Sequence, residues 1–187
     1  ILLPLVVAFV AVTIGLIAAN ILVFLYQASL QLGDDPVAAR AAQAFVFEFG
    51  LIPCRLTGAC DVPAEFPHPV ATIFTSMFMH GGFFHIFGNM LYLWIFGNNV
   101  EDAMGPFRFA LFYLLCGIAA ALAHFASSPD SPVPIVGASG AIGGVMGAYA
   151  ALYPRVPVHM LVTLGFYFTQ IVVPAYLMLG YWFLLQI

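Results

Sequence analysis

The stretch ATIFTSMFMHGGFFHIFGNMLYLWIFGNNV, Ala71 to Val100, holds no ionisable side chain except His80 and His85. A helix needs about 20 mainly apolar residues to cross roughly 30 Å of hydrocarbon, so this stretch alone is long enough to span a bilayer. Working outward, four more stretches share its character: Ile1 to Leu32 with no ionisable group, Phe109 to Pro129 with only His124, Val133 to Pro154, and Val156 to Ile187 with only His159. The last two meet at the hinge Pro154-Arg155-Val156-Pro157. All eight carboxylates (Asp34, Asp35, Glu48, Asp61, Glu65, Glu101, Asp102, Asp130) fall outside these stretches, in the loops. The pattern predicts an all-α, polytopic membrane bundle with five spans and a single domain over residues 1–187.

Composition agrees. The 187 residues are 64% hydrophobic and 6% charged, where a soluble domain has roughly 45–50% apolar and about 25% charged residues. So few polar groups cannot cover a soluble globule, and the chain is too apolar for a disordered one. The basic residues are Arg40, Arg55, Arg108 and Arg155, the net charge is −4, and no basic run is present. Nucleic acid is excluded as a partner, because no cluster of cations exists to neutralise a phosphate backbone. The bilayer is the implied surrounding.

The first stretch lacks a basic leading region and far outruns a signal-peptide core of about 7–15 residues, so it reads as a span. The chain begins at Ile1 and stops at Ile187 inside an apolar run, and it reads as a segment of a longer protein. The connection of residues 33–68 is long enough to be functional or partly folded; Phe45, Phe47, Phe49, Leu51 and Ile52 predict that it leans on the bilayer. Cys54 and Cys60 either pair, if this loop faces an oxidising compartment, or stay as two thiols, while Cys116 sits alone in a span. Arg40 and Arg55 lie on one side of the membrane and Arg108 and Arg155 on the other, a tie that the shorter loops break. They place the amino end in the cytoplasm and the 33–68 loop outside, in a multi-pass protein of the cell (inner) membrane.

Polar groups inside lipid are costly, so each is a candidate for function. His85 and Asn89, four residues apart on a helix, share a face and converge as two donors. Such donors in a water-poor site stabilise a developing oxyanion; the alternative is hydrogen bonding between helices. The second cluster, Pro132-Val133-Pro134-Ile135-Val136-Gly137-Ala138-Ser139-Gly140, marks a helix entry and puts Ser139 near a helix N-terminus, where free N–H groups favour an anion. Glycines 140 and 144, and 143 and 147, give two small-residue registers for close helix packing. The alternative for Ser139 is a packing serine bonded to its own backbone.

Taken together, these motifs resemble the rhomboid intramembrane serine proteases. His80, His85 and Asn89 match that family's His-x4-His-x3-Asn pattern, and Gly137-Ala138-Ser139-Gly140 matches its Gly-x-Ser-Gly. Val100-Glu101-Asp102-Ala103-Met104-Gly105, Tyr153-Pro154-Arg155 and Gly180-Tyr181-Trp182-Phe183-Leu184-Leu185-Gln186 are also similar to it, so the likeness covers about residues 69–187. It implies a six-helix core with Ser139 as nucleophile and a histidine of the sixth helix as base. His85, Asn89 and the Ser139 N–H would form the oxyanion hole, with His80 in support. The implied substrates are transmembrane segments of other proteins, with no metal or cofactor. No acid lies in any span, which suits a serine–histidine dyad and argues against an intramembrane aspartyl protease; no His-Glu-x-x-His supports a zinc one.

Two departures stand out. The sixth helix, which would bring the base, lies beyond residue 187, and without a base a serine is a weak nucleophile. Gly143 occupies a position where relatives often carry an aromatic residue. The alternative function is a catalytically inactive rhomboid-like protein that binds a partner in a membrane complex. A more remote one takes His80, His85 and His124 as axial ligands of haem or chlorophyll.

Overall fold

The computed structural model describes residues 10–31, 36–61, 63, 65–164 and 167–184. Helix α1, Ala11–Ser29, is mainly apolar, and its polar residues Thr13, Asn20 and Gln27 recur every seven residues and so share one face. All three are buried. Gln27 brackets the backbone of His80, donating to its carbonyl (3.3 Å) and accepting from its N–H (3.1 Å). Asn20 donates to the Leu16 carbonyl. At the helix start, where Val10 offers no capping side chain, the N–H groups of Val12 and Thr13 and the Thr13 hydroxyl all donate to Glu101, at 2.7–2.9 Å.

Glu101 therefore does not belong to a loop as the sequence suggests. It is fully buried, because a helix start in an apolar bundle has orphan N–H groups and a carboxylate from the neighbouring rod satisfies them. Replacing Glu101 by alanine leaves those donors without partners, and we expect a loss of roughly 3 kcal/mol or more. A thermal unfolding midpoint in detergent, compared with the wild-type chain, reads that loss. An unchanged midpoint would show that water replaces the carboxylate at no cost.

The decisive stretch is not one continuous span. Helix α4, Pro69–Thr75, runs into a tight turn Ser76–Phe78, and the chain then bends by 81° before the second rod, Phe83–Met104. That rod comprises α5 (Phe83–Tyr92), a wider turn at Leu93–Gly97, and α6 (Asn98–Met104). The break falls at Met79-His80-Gly81-Gly82, where two glycines weaken helix propagation. The stretch is therefore two rods meeting at a bend, the longer of which starts at Phe83. Helix α7, Pro106–Ser127, is the third rod, and α8, Ser139–Leu152, the fourth. Among the described residues, α1 and α7 are each long and apolar enough to cross a membrane, and the bent pair adds a third candidate.

The predicted fifth span, Val156 to Ile187, is corrected more strongly. Strands β1, Pro157–Leu164, and β2, Tyr167–Pro174, form an antiparallel hairpin, and among the described residues of this stretch only α9, Ala175–Leu184, is helical. Hydropathy does not distinguish the two states. The β-branched residues Val158, Val162, Thr163, Thr169, Ile171, Val172 and Val173 favour the strand, and Pro174 cannot sit in a helix interior. The protein remains a helical membrane bundle, with its core built from Leu93, Phe96, Val100, Phe109, Tyr113, Ile142, Val145 and Met146.

The long connection is folded too. Helices α2 (Pro36–Phe49) and α3 (Pro53–Thr57) flank Leu51 and Ile52, which are buried in protein rather than laid on the bilayer. Leu51 forms an antiparallel bridge with Ile135, with reciprocal hydrogen bonds of 3.1 and 2.8 Å. Cys54 is joined to Cys60 by a disulfide and its N–H donates to the Ser131 carbonyl. Arg55, also buried, donates to the carbonyls of Phe47, Glu48 and Pro67 and lies over the Phe66 ring. Burial lowers its pKa, opposed by Glu48. The loop thus grips the segment that leads into α8.

Candidate active site

That segment ends at Gly137, whose N–H donates to the Ser76 carbonyl (2.9 Å) and whose φ is +134°. A side chain here would be strained in the backbone and would meet His85: a Cβ on Gly137 would lie 2.9 Å from His85 Nε2 and 3.7 Å from Ser139 Oγ. The imidazole therefore packs directly against Gly137, with the serine hydroxyl close by. Ser139 is the first residue of α8, so its N–H is among those with no acceptor inside the helix. The helix has 14 residues and rises about 21 Å, against roughly 30 Å of hydrocarbon.

His85 stands in the first turn of α5. Its Nδ1 accepts from the Gly81 N–H at 3.3 Å, which leaves the proton of a neutral ring on Nε2, the nitrogen facing Gly137 and Ser139. Asn89, one turn on, donates through Nδ2 to the His85 carbonyl (2.9 Å). An amide nitrogen has two hydrogens, so one remains for the cavity of about 190 Å³ that His85, Asn89 and Ser139 line together with Tyr92 and Trp182. His80 does not line this cavity. Its ring is buried and packs edge-on against the His85 ring at 5.1 Å, fixing that ring from behind, and no macrocycle fits between the two.

On the other side of Ser139 is a larger cleft of about 420 Å³, bordered by Gly140, Gly143, Gly117, Ala120, His124 and Trp182. The two glycine registers serve different neighbours. Gly140 and Gly144 lie against Ala120 and Cys116 of α7, so close that a methyl at Gly140 would sit 2.5 Å from the Ala120 side chain. Gly143 instead looks to the Trp182 ring at 3.6 Å, and nothing lies within 4 Å of a Cβ at Gly147. Trp182 also contacts the Tyr92 ring, with centroids 5.8 Å apart.

The structure thus brings Ser139, His85 and Asn89 together and keeps His80 behind them. His124 is exposed on the wall of the larger cleft. His159 pairs with Gln170 on the hairpin, and His68 accepts from the Val70 N–H. Sequence reasoning missed Gln27, for which the seven-residue spacing from Thr13 and Asn20 was an available signal, and Ser76, whose backbone carbonyl contact leaves none, and also Tyr92. Among the described residues, no group of three or more His, Cys, Asp or Glu side chains is placed to hold a metal ion.

A helical membrane bundle with a hydroxyl at the start of a short inner helix, facing an imidazole and a carboxamide from the next rod, defines a narrow class of polytopic proteins. The chain belongs to the rhomboid family: residues 67–187 match the Rhomboid domain. It is 41% identical over 113 residues to rhomboid protease GluP of Bacillus subtilis, covering 59% of this chain and 21% of that protein. It is 30% identical over 152 residues to rhomboid protease AarA of Providencia stuartii, covering 76% of this chain and 50% of the relative. Inactive RHOMBOID-like protein 8 of Arabidopsis thaliana is 36% identical over 81 residues, 43% of this chain and 22% of that protein. The chain spans between about a fifth and a half of the length of these relatives.

Proposed function

We propose that the whole protein is an intramembrane serine endopeptidase that hydrolyses peptide bonds in or near transmembrane segments of other membrane proteins. The observation that carries this reading is the cavity of about 190 Å³ that Ser139, His85 and Asn89 line together. A scissile carbonyl placed there meets the hydroxyl as nucleophile. The oxyanion that forms accepts from His85 Nε2–H, the free Asn89 N–H and the Ser139 N–H. A histidine on a sixth helix, entering the cleft beside Gly140 and Gly143, takes the serine proton and returns it to the leaving amine. Water then releases the acyl group by the same route.

The shortness of α8 supports a buried position for this chemistry. With Tyr153-Pro154-Arg155 at one membrane surface, a rise of about 21 Å ends well short of the opposite surface. The orientation read from the loops gains support too. Arg55 is consumed by three backbone carbonyls, so Arg108 and Arg155, both exposed, outweigh Arg40 as free positive charges. The site then opens outward from the cell membrane, with the amino end in the cytoplasm.

The second reading, a non-proteolytic member that binds a partner within a membrane complex, is favoured by the similarity to a relative named inactive. A fluorophosphonate probe separates the two. The full-length protein in detergent should become labelled, with the adduct mapped by peptide mass spectrometry to Ser139. An adduct on another residue, or none under conditions that keep the protein folded, would favour partner binding.

A further inference from the structure

The hairpin between α8 and α9 lies outside the proposed chemistry. From Val156 to Leu184 the chain has no Asp, Glu, Lys or Arg, yet the tip of the hairpin shows Tyr167 and Phe168 at 69% and 65% exposure. An isolated two-stranded hairpin is barely stable in water, and uncharged strands ending in bare aromatic rings add an apolar surface to that problem. Burial in hydrocarbon is no remedy. Among the described residues β1 and β2 pair only with each other, and lipid cannot satisfy the N–H and C=O groups along their outer edges.

Two further observations fix where the hairpin lies. Its base is held at the membrane: the Ala175 N–H donates to the Val156 carbonyl (2.9 Å) and the Tyr176 N–H to that of Pro154 (3.3 Å), so both strands spring directly from membrane helices. Beside them Arg155 is exposed, as a guanidinium at headgroup level would be. And the start of the first strand stays against the bundle. Pro157, Val158 and Met160 line one cavity with Leu91 and Ile95, side chains of the second rod that are themselves exposed on its outer face. The hairpin thus meets the bundle at its base, and its strands, about 26 Å long, extend from there.

We propose that strands β1 and β2 form an interfacial anchor that rests Tyr167 and Phe168 at the headgroup boundary of the leaflet farthest from Ser139. Aromatic rings with one polar edge suit that boundary, and water and headgroups there satisfy the open strand edges. The anchor fixes the depth at which α9 begins, and α9 carries Trp182 to the cavity at Ser139. This inference does not depend on Ser139 being a nucleophile.

The test places a reporter at the tip. The full-length protein, with Trp94→Phe, Trp182→Phe and any tryptophan outside residues 1–187 likewise replaced by phenylalanine, carries either Phe168→Trp or Tyr167→Trp and is reconstituted in phosphatidylcholine vesicles. Emission should be blue-shifted and quenched most strongly by lipids brominated near the headgroup end of the acyl chain. Quenching by aqueous iodide with no effect of brominated lipid would put the hairpin in water. Strongest quenching by lipid brominated near the chain's methyl end would put it in the hydrocarbon core, and quenching by neither would put it under protein. Any of these three overturns the proposal, and agreement between the two tryptophan positions guards against a local distortion.

Discussion

Ser139→Ala in the full-length protein is expected to abolish cleavage of a helical membrane substrate, by about 10⁴-fold or more, because the covalent route is lost and not merely weakened. Folding should be untouched. Ser139 opens a helix, where alanine costs little when the hydroxyl is not the cap, and Ala138 precedes it with no capping side chain. The thermal midpoint in detergent should therefore match the wild-type value while turnover disappears. Cleavage that survives the change would assign the nucleophile to another residue and detach the geometry around Gly137 from the chemistry.

The second large effect concerns the donors. His85→Ala and Asn89→Ala should each lower kcat by about 10²–10³, the usual consequence of removing one oxyanion donor, with KM little altered. The two losses should not add fully, because Asn89 holds the His85 carbonyl and the pair acts as a unit. His85→Gln is a useful intermediate, since it keeps an N–H in reach without the ring that Gly81 and His80 position. A kcat that stays at the wild-type level in the double variant would remove both side chains from the site and leave them as helix-packing groups.

Much of this was legible because membrane folding writes in long apolar runs. The first and fourth rods fall inside the stretches chosen by hydropathy, the third starts three residues before its stretch, and the entry of α8 at Ser139 follows from Pro132, Pro134 and Gly137. The errors share a cause: hydropathy is blind to backbone state. It merged α4 with the second rod across His80-Gly81-Gly82, and it read the β-branched segment 157–174 as helix although Pro174 marks its end. It also left Glu101 in a loop, because nothing near that residue in the chain announces the helix start it caps 88 positions earlier. Within the site, the pairing of His85 with Asn89 was visible from their spacing. The tautomer of His85 was not, since it depends on the Gly81 N–H presented by the bend, and neither was the need for glycine at 137, which arises from the approach of His85 across the bundle.

The central claim is that one small volume is shared by the serine oxygen and the two donors. Its most direct measurement is an experimental structure of the full-length protein after phosphonylation. The account predicts phosphorus on Ser139 Oγ, with the phosphonyl oxygen within hydrogen-bond distance of His85 Nε2, Asn89 Nδ2 and the Ser139 N–H. A phosphonyl oxygen pointing away from residues 85 and 89, into lipid or toward α7, would contradict it.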